Sequence, residues 1–230
     1  MFRLIVFDLD GTLVDNMALH TQAFADFMGR YALPPLEDAQ RARLDGKRNT
    51  DIFPVLFGRE LPEEELRAYA DEKEGLYRTI SRGRLAPLAG LDRLLDLLVS
   101  REIPFAVATS GPAENVRHTL AEIGLAARIA VVVRGDEVAR GKPHPDIFLA
   151  AAARLGADPR SCLAFEDSPS GVAAARAAGM VCVGVATSFS PQALTGAGVS
   201  PDLVVADYHA FLDGGGRRLV EDGDLSEVAR

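Results

Sequence analysis

The sequence predicts an α/β fold: a mainly parallel sheet covered by helices on both sides, with an all-helical insertion after the first strand. Two observations carry this. Short apolar runs recur with helix-length amphipathic segments between them over the last two-thirds of the chain. Those runs are apolar at every position, as expected of strands buried on both faces rather than one. A third observation, the long strand-poor stretch between residues 15 and 81, places the insertion.

The first strand is read at 3–8, in RLIVFDLDGT. It runs into two aspartates, Asp8 and Asp10, and a Gly11-Thr12 turn. Burying unpaired charge is expensive, so two carboxylates at a strand end call for a cation or a chemical task. Their spacing of two puts both on one side while the strand conformation lasts. In the insertion, residues 18–30 carry Leu19, Ala23, Phe24 and Phe27 at helical spacing. Pro62 followed by an acidic run starts a second helix over 62–80. SRGRLAPLAG, around residue 82, reads as linker and turn.

Beyond it, helices are expected at 91–100, 112–123, 144–156 and 169–178, and strands at 103–108, 129–133, 161–165, 181–185 and 202–206. The domain reading is a core of 1–14 and 86–230 with a cap at 15–85, joined by short hinges near 13–17 and 81–87. The glycine-rich, charged tail from Leu212 is expected to add little to the core, as a short hairpin or frayed end.

The chain of 230 residues is 48% hydrophobic, enough for a sizeable core. Its net charge of −8 argues against a nucleic-acid footprint, yet a few local cations can still dominate a small anion pocket. Cys162 and Cys182 sit in apolar runs without CxxC spacing and read as buried free thiols. No apolar run approaches a membrane span, so the expectation is a soluble, cytoplasmic monomer acting on a small molecule, without nucleic-acid or membrane partners.

Four clusters fall at the carboxyl ends of predicted core strands, where ligands of such sheets bind. They are Asp8 and Asp10; Thr109, Ser110 and Gly111; Lys142 in GKPHPDIF; and Glu166 with Asp167. Each alone has an ordinary alternative: a helix cap for Thr-Ser-Gly or Glu-Asp, a solvated loop lysine for Lys142. Together they make a carboxylate-rich metal site beside an anion site. Oxygen ligands suit Mg2+, and no cysteine or histidine cluster suggests zinc. Phosphoryl transfer explains the combination: one aspartate attacks, the second handles protons, and Ser110, backbone N–H groups and Lys142 hold phosphoryl oxygens.

In order and spacing, FDLDGT at 7–12, ATSG at 108–111, Lys142 in GKPHPDIF and FEDSPSG at 165–171 resemble the four motifs of the haloacid-dehalogenase-like phosphatases and phosphomutases. The likeness is to the subgroup with a helical cap after the first motif, which includes beta-phosphoglucomutase and many sugar-phosphate phosphatases. It implies a Rossmann-like three-layer core with an inserted cap. It also implies Asp8 as nucleophile and metal ligand, Asp10 as general acid/base with its carbonyl on the metal, Thr12 as loop support, Thr109, Ser110 and Lys142 on the phosphoryl group, and Glu166 and Asp167 completing the metal shell.

The cap must separate phosphatase from mutase. The resemblance gives His20 the role of assisting Asp10, against a plain half-buried helix histidine. It gives Lys73 a substrate contact, against a solvated i,i+4 partner. DGKRNTD at 45–51 looks like the cap's specificity loop, with Gly46, Lys47, Arg48 and Asn49 facing substrate. The mutase pattern has arginine three residues after the loop glycine, where this chain has Asn49, and serine and alanine where it has Thr109 and Ser110. The expected function is therefore a Mg2+-dependent phosphatase of a small sugar or polyol phosphate. A hexose-phosphate mutase is the alternative within the family, and a non-catalytic phosphate-binding module the alternative outside it.

Overall fold

A computed structural model describes residues 2–195 and 198–223 of the chain. Its elements are, in order, β1 (Leu4–Phe7), α1 (Met17–Arg30), α2 (Asp38–Leu44), α3 (Asn49–Phe57), α4 (Glu63–Ser81), α5 (Leu91–Ser100), β2 (Phe105–Thr109), α6 (Ala113–Glu122), β3 (Val132–Arg134), α7 (Asp146–Arg154), β4 (Cys162–Glu166), α8 (Pro169–Ala177), β5 (Val181–Val185), α9 (Pro191–Thr195), β6 (Leu203–Val205), α10 (Tyr208–Phe211) and α11 (Arg217–Asp222).

The strands form one six-stranded sheet in the order β3-β2-β1-β4-β5-β6, all pairs parallel. Alternation along β1 builds the layers. Ile5 and Phe7 point into a cluster with α5, α6, α10 and α11, while Leu4 and Val6 point into one with α7, α8 and α9. Phe7 stacks on Phe165 at 5.2 Å between ring centroids, inside the first of these clusters. Cys162 and Cys182 are free and buried in the second. No helix among the described residues is long and apolar enough to cross a membrane.

The four helices α1–α4 form the cap on an apolar cluster of their own, centred on Phe27, Ile52, Phe53 and Leu56. Both crossings to the core run side by side: Leu88 N–H donates to Leu13 O at 2.8 Å, and Val14 bridges Pro87. One cap helix differs from expectation. The segment 45–51 is loop only as far as Arg48, and Asn49 already begins α3. Its apolar run is short and contains Pro54, which hides a helix from periodicity.

Two further corrections concern the core. The run 129–133 is strand only from Val132, where the chain comes into register with Val107. The tail from Leu212 does contribute to the core. A wide turn over Leu212–Gly216, with Gly215 at φ 98°, brings the chain back as α11. Leu219 and Val220 are thereby fully buried. Glycine-rich composition suggests a frayed end, but here it makes the turn that two apolar residues need to reach the core. The remainder of the tail, 224–230, lies outside the described residues.

Candidate active site

Strand order reverses between β1 and β4, the switch point at which doubly wound sheets bind ligands. Phe7 pairs with Phe165, and the Asp8 amide donates to the Phe165 carbonyl at 3.0 Å. Register alone therefore sets Asp8 beside Glu166, and Thr109 ends the strand on the other side of β1. All four predicted core clusters meet at this edge.

Lys142 holds the centre. It is buried, and its Nζ donates to Asp8 Oδ1 at 2.6 Å, to Ala108 O at 3.3 Å and to Glu166 Oε1. The other oxygen of Glu166 accepts from the Asp167 amide (3.1 Å), the Ser168 amide (3.2 Å) and the Ser168 hydroxyl (3.2 Å). Asp8, Glu166 and Asp167 each offer an oxygen within 4.8 Å of the others, and all three are buried. Burial pushes Asp8 up to about 8 against the pull of Lys142. Burial, with Glu166 and Asp8 beside it, raises Asp167 as well. One lysine against three buried carboxylates leaves the cluster short of positive charge, and the donors are all oxygen. That set can hold a divalent cation of the Mg2+ kind.

Two glycines make the cluster possible. A Cβ on Gly11, at φ 81°, would stand 2.0 Å from Asp167 Oδ2; one on Gly171 would stand 1.9 Å from the Glu166 carboxylate. Both lie in the motifs, but only packing reveals what they make room for.

Asp10 is organised from the cap side. Asn16 is fully buried, donating to Asp10 Oδ1 at 2.6 Å and to Tyr77 OH at 2.6 Å, while its carbonyl accepts from Gly11 N–H at 3.0 Å. His20 Nε2 stands 3.5 Å from Asp10 Oδ1, too far for a well-made hydrogen bond. Lys73 Nζ lies 3.0 Å from His20 Nδ1. An ammonium group can only donate, so Nδ1 accepts and the ring proton sits on Nε2, facing Asp10. Burial works to raise Asp10, yet His20, Asn16 and Lys73 outweigh it and hold the group below its ordinary value.

The cap residues separate into two groups. His20, Gly46, Lys47, Asn49 and Lys73 line a cavity of about 370 Å³ together with Asp8, Asp10, Thr109, Ser110 and Asp167. Lys73 is buried rather than solvated, paired with Glu74 at 3.0 Å and 4.1 Å above the Phe24 ring. Arg48 is elsewhere. Its guanidinium pairs with Asp51 at 3.0 Å and reaches the carbonyls of Gly135, Val138 and Ala139 at 3.4 Å each. It fastens cap to core.

Ser110 is also a fastening point, its hydroxyl donating to Gly46 O at 2.7 Å, while Thr109 Oγ1 accepts from the Gly111 amide at 3.0 Å. Residues invisible to motif reading complete the roof. Asn115 of α6 donates to Glu74 at 2.6 Å and accepts from Arg78 at 2.8 Å. Asn16 could have been suspected only from its position just after the Asp10 turn; Tyr77, Glu74 and Asn115 carried no sequence signal beyond helical spacing.

Fold and site together define a class: a doubly wound core with a carboxylate–lysine centre at its switch point, roofed by a helical insert. The family model for haloacid dehalogenase-like hydrolases matches residues 2–179. The chain belongs to that family. It is 36% identical to hexitol phosphatase A of Escherichia coli over 78% of this chain and 81% of the relative. To validoxylamine A 7'-phosphate phosphatase of Streptomyces hygroscopicus it is 30% identical over 86% and 92%. Among solved structures, a beta-phosphoglucomutase from Clostridium difficile superposes with a TM-score of 0.82 over 97% of this chain and all of that one, at 23% identity, a likeness of fold.

Proposed function

We propose that this hydrolase is a Mg2+-dependent phosphatase of small phosphorylated sugars or polyols, working through a phosphoryl group carried on Asp8. The observation behind the proposal is that Asp8 and Asp10 line one cavity with their surroundings already divided by task. Asp8 is clamped by Lys142, which fixes one oxygen and leaves the other for attack on phosphorus. Asp10 is held as a carboxylate by Asn16 and His20, the form that takes a proton from water in the second half of the reaction. A phosphate dianion entering beside it raises its proton affinity, which prepares Asp10 to protonate the leaving oxygen in the first half.

Asp8, Glu166 and Asp167, with the Asp10 carbonyl, would hold Mg2+, which when bound offsets the charge of the phosphoryl oxygens and of the carboxylates. Thr109, Ser110 and Lys142 are assigned to the phosphoryl group, and Gly46, Lys47, Asn49 and Lys73 to the alcohol portion. We take the cap as 15–85, and the paired crossings at Leu13–Leu88 and Val14–Pro87 support those bounds.

Hydrolysis is favoured over mutase chemistry because the loop's arginine, Arg48, is spent on Asp51 and core carbonyls. With Arg48 turned away, the cations in the cavity lining are Arg41, Lys47 and Lys73, and Lys73 is already paired with Glu74. The relatives named above, hexitol phosphatase A and validoxylamine A 7'-phosphate phosphatase, act on phosphorylated polyols or sugar-like compounds by name and support the sugar or polyol class. Incubation with β-glucose 1-phosphate, Mg2+ and catalytic glucose 1,6-bisphosphate tests the choice. Phosphate release faster than glucose 6-phosphate formation is expected; the opposite order would sink the phosphatase reading.

A further inference from the structure

The cavity is longer than a site for a phosphoryl group and a few hydroxyls. Its lining along α1 runs from Met17 to Gly29, and at about 1.5 Å per residue that wall is about 18 Å long. His20, Phe24 and Met28 lie on one face of α1 at successive turns. His20 stands at Asp10, so Met28 is about 12 Å further along the axis. The character of the wall changes with that distance. Beside Asp10 are His20, Lys73, Glu74, Asn49 and Asn115. The lining also includes Phe24, Met28, Leu33, Leu36, Leu44 and Ile52, all members of the cap's apolar cluster or packed against it, with Phe24 and Met28 along α1 away from His20. Arg41, a turn before Leu44, also lines the cavity.

We infer that the alcohol half of the substrate is amphiphilic: a hydroxylated portion next to the phosphate, and a ring-sized apolar group seated against Phe24, Met28 and Leu36. The inference rests on the phosphatase reading for the position of the phosphate and goes beyond it in naming the far end. Water left between those apolar side chains would be poorly bonded, so an apolar group displacing it gains affinity. A plain hexose or hexitol phosphate would fill the polar half and leave the apolar half wet.

Methyl and benzyl glucoside 6-phosphates, both anomers of each, share one leaving group and differ only at the end away from phosphate. Their binding to Asp8→Asn protein with Mg2+, measured calorimetrically, separates the apolar subsite from turnover. The benzyl compound of at least one anomer should bind about tenfold or more tighter than its methyl counterpart. Leu36→Asn added to Asp8→Asn should bring that ratio back toward one. Equal affinity of the methyl and benzyl compounds, or binding of none of them at millimolar concentration, overturns the inference. Hydrolysis by the wild-type chain is read in parallel. A preserved affinity ratio with no phosphate release from any of the four removes the phosphatase reading and leaves the apolar subsite standing.

Discussion

Gly171→Ala is a substitution for which local and tertiary reasoning give opposite signs. Gly171 lies in the first turn of α8, and glycine inside a helix is less favourable than alanine by about 1 kcal/mol. On propensity the variant should be more stable. The structure says otherwise, because the new methyl would stand 1.9 Å from both Cδ and Oε1 of Glu166 and 2.2 Å from Oε2. Glu166 is fully buried and cannot swing into solvent. Overpacking of this kind costs about 1–3 kcal/mol. Displacing the carboxylate also weakens its bonds from the Asp167 amide, the Ser168 amide and the Ser168 hydroxyl, and losing one bond to a charged group costs about 1.5–3 kcal/mol.

Against the propensity gain, the balance is destabilisation by about 2–4 kcal/mol. For a chain of this size that lowers the melting temperature by about 4–16 °C. Mg2+ should stabilise the variant less than the wild type, since Glu166 is one of the three clustered carboxylates. Gly75→Ala is the control. A Cβ there meets nothing nearer than an Arg78 nitrogen at 3.9 Å, so it should raise the melting temperature by about 2–4 °C. Thermal denaturation with EDTA and with Mg2+ reads all three proteins. A Gly171→Ala chain as stable as the wild type would refute the claim that this glycine exists to seat Glu166.

Asn16→Ala removes the bonds to Asp10, Gly11 and Tyr77 from a buried site, and should cost about 2–4 kcal/mol. Its kcat should fall about ten- to a hundredfold through misplacement of Asp10, with KM little changed, as steady-state kinetics on folded protein will show. Lys142→Met strips the cation from buried carboxylates and should cost about 3–5 kcal/mol in EDTA. Added Mg2+ should then raise its melting temperature more than that of the wild type; an equal rise would contradict the charge deficit. Asp45 is raised by burial from 3.8 to about 6. Its folded form holds the proton more tightly than the unfolded chain does, so stability falls as pH rises from about 4 to 6 and the penalty is complete above that. Asp45→Asn should stabilise the protein by about 3 kcal/mol at pH 7 and by nothing near pH 3.5, as denaturation at the two pH values will show.

The parallel core was legible because strands buried on both faces leave a plain mark, an apolar run without alternation, and helices fill the gaps between them. β1, β4 and β5 were found within a residue of their ends for that reason. β3 was misjudged by its length, since an edge strand begins where its pairing with a single neighbour begins, here at Val132 opposite Val107, and not where its apolar run does. The tail was misjudged because composition reports average polarity, and two well-placed residues, Leu219 and Val220, are enough to anchor a helix.

At the site, Asp8, Asp10, Lys142, Glu166 and Asp167 were readable from the sequence alone. Asp8, Asp10, Glu166 and Asp167 end or closely follow a core strand, Lys142 lies in the loop after β3, and a parallel sheet sends all its strand ends to one edge. That rule is topological and needs no side-chain coordinates. The cap obeys no such rule. Whether Arg48 faces substrate or core, and whether Lys73 meets water or Glu74, depends on how four helices tilt over the sheet. Helical spacing gives the face a residue occupies on its own helix, and only the packing of one helix against another turns that face toward the cavity or away from it. The residues of the candidate site were therefore written into the strand ends, while the shape of the cavity above them was decided by the tertiary fit of the cap.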